Sequence, residues 1–245
     1  MTRYHYTRDA ATGPALGLIV LQVDETIETE FRRMFPPAQR LHVSRVPSGA
    51  EVSPDSLQAM AGHLTQAAAL FPPPVSFAAV GYGCTSGTAQ IGAEQVAALV
   101  GQGARTQAVT QPVSALIAAC RALGLRRIGM LSPYVAAVSA RLRGVLDAAG
   151  VATPVFGSFD EAEEAAVARI DTGSVVAAAR DLVGQGGVDG LFLSCTNLRT
   201  LPLIDGLEAE LDLPVLSSNQ VLAWHMARLA DVPVSGPGRL FQTQP

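Results

Sequence analysis

Two cysteines stand where reactive thiols would be placed. Cys84 ends the stretch Val75-Ser-Phe-Ala-Ala-Val-Gly-Tyr-Gly and is followed by Thr85, Ser86 and Gly87. Cys195 ends Val188-Asp-Gly-Leu-Phe-Leu-Ser and is followed by Thr196 and Asn197. Each thus follows a short apolar run and opens a polar segment. Cys84 also precedes a helix-like stretch, and the unpaired N–H groups of a helix start favour negative charge. A thiol there is expected to ionise more readily than a free one, with room for a carboxylate beside it. The competing reading is a packing cysteine at a strand end, since free cysteine is among the most buried residue types.

Facing thiols without a cofactor have a short menu. One thiolate can take a proton from a carbon next to a carboxylate while the opposite thiol returns one, inverting the carbon. Alternatively, a thiolate adds to an activated double bond, the bond rotates, and elimination follows. Both routes need donors for an enolate-like charge. Thr85, Ser86, Thr196 and Asn197, with neighbouring N–H groups, are the candidates, and each can also cap a following helix. A third possibility is a catalytically silent protein that binds a small carboxylate or senses redox state through a Cys84–Cys195 disulfide.

What is missing narrows the choice. All seventeen basic residues are Arg, and the chain contains no Lys. A pyridoxal-phosphate Schiff base, a phosphate-loop lysine and a Ser–Lys dyad are therefore excluded. His5, His42, His63 and His225 are isolated, and neither CxxC nor HExxH occurs, so no metal and no cofactor is expected. Gly81-Tyr-Gly83-Cys-Thr-Ser-Gly87 places its third glycine one position late for a dinucleotide fingerprint. Gly81 and Gly83 are read instead as permitting a tight turn at the strand end. Cys120 lies in an apolar helical run and is read as packing; His225 is read as a helix-face histidine with a local partner.

Composition agrees with a buried globular chain. Hydrophobic residues make up 49% and charged residues 16% of 245, with net charge −4. No basic run suggests nucleic acid, and no apolar stretch approaches the roughly 20 residues of a membrane span. Residues Met1 to Asp9 lack the apolar core of a signal peptide, and three scattered cysteines fit a reducing cytoplasm.

The elements that must carry the thiols alternate. Strands are expected at Leu16–Val23, Leu41–Val46, Val75–Val80 and Thr106–Thr110. Helices are expected from Asp24 to about Phe35, from Ser53 to Leu70, and over Ala93–Val100, with another from Gln111-Pro112 through Cys120. The order then restarts: strand at Arg127, helix through Arg141 to Ala149, strand Val151–Phe156, helix Ser174–Val183, strand before Cys195, strand Leu213–Leu216, and a helix capped by Ser218-Asn219. Leu21 precedes Cys84 by 63 positions and Leu131 precedes Cys195 by 64 (84 − 21 and 195 − 131). A repeat of about 110 residues is a domain-sized duplication. The expected fold class is α/β, with two similar Rossmann-like halves, parallel sheets and pseudo-twofold symmetry. The first half is assigned to 15–112 plus 220–245 and the second to 113–219. Ligands of such sheets bind beyond the carboxyl ends of the strands, so the cleft between the halves would hold both cysteines. Unrelated packing cysteines have no reason to fall at equivalent positions of a duplication.

At these residues the chain resembles the aspartate/glutamate racemase superfamily, in the branch with maleate isomerase and arylmalonate decarboxylase. The likeness rests on the segment Gly17 to Glu30, on Gly83-Cys84-Thr-Ser-Gly, Ser132-Pro-Tyr134 and Ser194-Cys195-Thr. The opening segment most resembles racemase-like proteins associated with ectoine utilisation. The resemblance implies cofactor-independent chemistry on a small carboxylate, in a homodimer or homotetramer. By position it makes Cys84 and Cys195 the catalytic pair, gives Thr85 and Ser86 the substrate carboxylate, and assigns Tyr134 a hydrogen bond to it. Arylmalonate decarboxylases of this type keep only the second cysteine, so the presence of both argues against that reaction. Maleate isomerases carry Asn where this chain has Asp24, and a second Asn near Glu164. A carboxylate beside a dianion is unfavourable, so Asp24 and Glu164 imply a substrate with both a carboxylate and a cationic or amide nitrogen. Asp24 can also simply cap the helix through Ile27.

Overall fold

The protein is described by a computed structural model covering residues 1–8 and 13–243. Asp9, at the end of the N-terminal segment read above, and the last two residues of the 220–245 segment lie outside it.

The first sheet has strand order β2-β1-β3-β4, with β1 Ala15–Leu21, β2 Arg40–Val46, β3 Phe77–Gly83 and β4 Val109–Thr110, all parallel. The second repeats it as β6-β5-β7-β8: β5 Arg127–Tyr134, β6 Ala152–Glu161, β7 Gly190–Leu193 and β8 Val215–Ser217. β1 is buried along its whole length, as a strand covered on both faces must be, and its continuous apolar run is the sequence signature of that position.

Helices fill the crossovers. The first six in the chain are α1 Ile27–Met34, α2 Pro54–Ala59, α3 Ala61–Ala69, α4 Thr85–Ile91, α5 Ala93–Gly103 and α6 Pro112–Leu123. Those that follow are α7 Ala136–Ala148, α8 Glu164–Val167, α9 Thr172–Gly184, α10 Ile204–Leu211 and α11 Ser218–Ala230. The last helix of each set crosses over. On α6, Val113, Leu116, Ala119 and Cys120 join a core with Ile128, Met130, Phe192 and Leu216 of the second sheet. On α11, Leu222, Ala223 and Met226 belong to the core of the first sheet, and the Met226 sulfur lies against Gly81 on β3.

The expected elements are present, with local corrections. Gly81 and Gly83 do not make a turn: both lie within β3, which runs on to Gly83. A Cβ on Gly81 would stand 2.4 Å from Met226 Sδ, and one on Gly83 2.6 Å from Ile27 Cδ1. Glycine lets the Met226 and Ile27 side-chain ends pack directly on the strand, and any larger residue would make them shift. The segment after Cys84 is two helices, split at Gly92, whose φ of 99° ends α4 in a conformation that side chains resist. The helix expected over Ser53–Leu70 likewise divides at Met60, which is buried with its sulfur 3.7 Å from the Tyr82 hydroxyl. The cap of α11 is Ser217, in a reciprocal capping box with Gln220; Ser218 and Asn219 are free for other work. The short α8 and α10 were not foreseen.

Among the described residues no helix is long and apolar enough to cross a membrane.

Candidate active site

The carboxyl ends of β3 and β7 deliver Cys84 and Cys195 to one buried region, each 2% exposed. Cys84 is the N-cap of α4: its sulfur accepts the Gly87 N–H at 3.2 Å, and the Ser86 hydroxyl lies 4.0 Å away. Cys195 takes a left-handed φ of 99°, a conformation that costs a non-glycine residue about 1–3 kcal/mol. Bonds from other elements hold it there. Its N–H donates to Ser218 Oγ at 3.0 Å, its sulfur accepts the Asn197 N–H at 3.2 Å, and Asn219 Nδ2 donates to Thr196 O at 2.8 Å.

Hydroxyls and amides tie the two thiol loops together. Thr85 Oγ1 donates to Ser218 Oγ at 2.8 Å, so one serine serves both cysteine segments. Thr196 Oγ1 reaches Gly83 O at 3.3 Å. Asn197 spans the halves: its Oδ1 accepts the Glu25 N–H at 2.9 Å, and its Nδ2 donates to Glu164 Oε2 at 3.1 Å. The polar side chains expected to serve substrate are thus also the fastening between the halves.

Two carboxylates are buried here. Asp24 Oδ1 accepts the N–H groups of Thr26 at 2.8 Å and Ile27 at 2.9 Å, so Asp24 does cap the start of α1. Its Oδ2 is buried and has no hydrogen-bond partner among the described residues. Burial pushes its carboxyl up, against those N–H donors, the nearby Thr196 hydroxyl and the charge of Arg45. That arginine is committed elsewhere, to the carbonyls of Leu21, Gln22 and Asp24 and to Glu28. Glu164, 3% exposed, accepts the Tyr134 hydroxyl on Oε1 at 2.7 Å and Asn197 Nδ2 on Oε2. Burial raises it too, with Asp24 adding to the effect. Tyr134 Oη also lies 2.9 Å from Cys195 Sγ.

Charge in this region corrects the expectation of an easily ionised thiol. Burial pushes Cys84 up to about 12; the Gly87 N–H opposes this and the Glu164 charge adds to it. Cys195 is raised well above the ordinary thiol value as well, by burial first and by Glu164 next. The start of α4 is one favourable contact set against full desolvation and a neighbouring anion.

Three residues were not assigned to the site from the sequence: Ser218, Asn219 and Glu30. Glu30, 3% exposed, accepts the N–H groups of Thr200 and Leu201 and, at 2.7 Å, Asn219 Nδ2. It is buried on α1 with Ile27, Phe31 and Met34. A charged residue at an apolar-face position of an amphipathic helix was the available signal. His225 has its partner in Thr110, 2.7 Å away across the fold, and not nearby in sequence. Cys120 is buried in the second-sheet core, as expected of packing. Among the described residues no group of three His, Cys, Asp or Glu is placed to hold a metal ion.

Duplicated parallel sheets with a thiol at a central strand end fit the aspartate/glutamate racemase-like class, and the likeness to solved maleate isomerase and arylmalonate decarboxylase structures puts the chain in that branch. Within that class, residues 104–241 match the arylmalonate decarboxylase family, which is more than half of the chain, and the chain belongs to that family. It is 28% identical to the maleate isomerase of Nocardia farcinica over 91% of its own length and 92% of that protein's. It is 33% identical to the arylmalonate decarboxylase of Bordetella bronchiseptica, over 52% of this chain and 55% of that one. A solved mutant of the N. farcinica maleate cis-trans isomerase, holding a covalently bound succinylcysteine intermediate, superposes with a TM-score of 0.85. That match covers 96% of this chain and all of that one at 26% identity. The family is one of enzymes with cofactor-free, cysteine-based chemistry.

Proposed function

We propose that this enzyme moves a proton between the two faces of a carbon next to a carboxylate, as a racemase of a small amino-acid derivative. Cys84 and Cys195 are the acid and base, approaching from opposite halves. The observation that carries this reading is Asp24 Oδ2, buried beside the Cys195 loop with the Thr196 hydroxyl nearby but no hydrogen bond of good geometry among the described residues. With Asp24 and Glu164 both buried, a dianion would add two negative charges to a poorly compensated pair, whereas a zwitterion brings one charge of each sign. The first-turn N–H groups of α4 suit the substrate carboxylate, and Asp24 Oδ2 suits its nitrogen. The ectoine-related likeness of the opening segment makes acetylated diaminobutyrates the first compounds to try.

The test is exchange of the α-proton in deuterated water, followed by mass spectrometry across small amino acids and their acetylated forms. Exchange with inversion is the expected result. If neither exchange nor maleate–fumarate conversion occurs with any small carboxylate, the reading fails.

Cis–trans isomerisation of maleate is the second reading, supported by the likeness to the N. farcinica enzyme over almost the whole chain. An Asp24→Asn variant that gains maleate conversion from none would show that the parent is not a maleate isomerase. Maleate conversion by the parent itself would favour this second reading.

A further inference from the structure

Glu164 is placed beside the thiols, and each of its oxygens already holds a donor from the protein. Oε1 takes the Tyr134 hydroxyl proton at 2.7 Å and Oε2 takes Asn197 Nδ2 at 3.1 Å. Two donors on two oxygens is the pattern of an ionised carboxylate. Because the Tyr134 proton points at Glu164, its oxygen lone pairs are left for the Cys195 thiol, 2.9 Å away. The Asn197 N–H, 3.2 Å from the same sulfur, would hold a thiolate once formed. Cys84 has no such path. Its sulfur meets the Gly87 N–H and the Tyr82 hydroxyl and lies near the Ser86 hydroxyl, but Tyr82 leads on to the Met60 sulfur, and among the described residues no carboxylate is hydrogen-bonded beyond these groups.

We propose that Glu164 is the proton acceptor for Cys195, reached through the Tyr134 hydroxyl. The S–H bond of Cys195 breaks as Tyr134 Oη takes its proton, and the Tyr134 O–H bond breaks as Glu164 Oε1 takes the other. The products are a Cys195 thiolate and a Glu164 carboxylic acid; Tyr134 is regenerated neutral and total charge is unchanged. Cys195 is then the thiol that abstracts first, and Cys84 enters the cycle protonated. Glu164 is a positioning and proton-holding residue, leaving Asp24 as the carboxylate open to substrate. This deepens the proposed function and rests on its two-thiol chemistry, but its test does not use turnover.

The titratable groups facing Glu164 are Tyr134 on β5, Cys195 after β7, Cys84 after β3 and Asp24 after β1. On the outer side Glu25, Glu51 and Glu163 share a recess with it, and Arg169 pairs with Glu25. No arginine is among its hydrogen-bond partners.

An internal acceptor has a kinetic signature. A thiol losing its proton to solvent alkylates about tenfold faster per pH unit until its own pKa is passed. A thiol that passes its proton to a carboxylate within the protein keeps a constant fraction as the thiolate–carboxylic acid pair. Its rate is therefore flat between the pKa of the carboxyl beside the neutral thiol and its higher pKa beside the thiolate, and rises with pH only outside that window. The experiment is iodoacetamide labelling of the intact enzyme between about pH 6 and 10, with initial rates at Cys84 and Cys195 read separately by peptide mass spectrometry. Expected is a plateau at Cys195 and the solvent-type rise at Cys84. Tyr134→Phe and Glu164→Gln, each checked for folding by circular dichroism, should both convert the Cys195 profile to the solvent type. Tyr134→Phe alone suffices if Glu164→Gln does not fold. A parent Cys195 rate that climbs like that of Cys84, or a plateau that survives Tyr134→Phe, overturns the proposal. Either result leaves the racemase reading standing, to be judged by proton exchange.

Discussion

Cys195 pairs a buried thiol with a left-handed backbone, and the two are linked. At φ of 99° the chain doubles back after β7, and its N–H points at Ser218 while its sulfur meets the Asn197 N–H. The strain is sustained by bonds from α11 and from the Thr196–Asn197 segment. Cys195→Ala and Cys195→Gly both remove the thiol, but only glycine also relieves the backbone. Thermal unfolding should therefore find the glycine variant more stable than the alanine variant by about 1 kcal/mol. An alanine variant equal to or above the glycine one would mean that the neighbouring bonds, and not the residue, dictate this conformation at no cost.

Among the elements, α1 carries the least expected burden. Its apolar face was plain in the sequence, but Glu30 on that face holds Thr200, Leu201 and Asn219, which in turn holds the Cys195 loop. Burial pushes Glu30 up to about 7 from 4.5, against three N–H donors and with Asp24 adding to it. The native state thus keeps a proton that the unfolded chain has already released between these two values. Stability should fall as pH rises from about 4.5 to about 7, by roughly 1.4 kcal/mol per unit from this residue, or of order 3 kcal/mol in all. Asp24 and Glu164, raised in the same direction, steepen the fall. In denaturant melts at several pH values, Glu30→Gln should lose the part due to Glu30. An identical slope in parent and variant would place the titration elsewhere.

The elements also show what a single sequence can disclose. Cys84 and Cys195 were legible because strand, turn and hydroxyls are contiguous, and because the duplication supplied each with a counterpart. Ser218 was not: its meaning lies in Thr85, 133 positions away, and in Cys195, 23 away. The thiol pKa values were misjudged for the same reason, since a local helix start was visible and the burial and the Glu164 charge were not. Gly81 and Gly83 were correctly singled out but given the wrong cause, because Met226 and Ile27 approach them from distant helices.

At the scale of the molecule, the halves meet over the thiols by more than side chains. Val52 N–H donates to Ala162 O at 2.8 Å and Glu164 N–H to Ala50 O at 3.0 Å, a short antiparallel ladder pairing Glu51 with Glu163. Outside it lies a recess of about 470 Å³ lined by Gln22, Val23, Glu25, Ala50, Glu51 and Glu163. With both thiols buried, parting of this ladder is the expected way in for substrate, and a cross-link across it tests that. Cysteines placed by Glu51→Cys and Glu163→Cys sit at a separation suited to a disulfide. Oxidation should stop proton exchange and reduction restore it; unchanged exchange with the bridge intact would locate the passage elsewhere.

The crossing of α6 and α11 bears on how the chain is made. The first sheet is complete at Thr110, but the helix that lies against Gly81 begins only at Ser218. At a synthesis rate of about 5–20 residues per second, roughly 110 further residues take about 5–20 s. For that interval the nascent chain holds a finished sheet whose side at Gly81 lacks its α11 cover, with α1 packed on that face at Gly83. The loop of the first thiol therefore gains its Ser218 contact only once the last helix has been made.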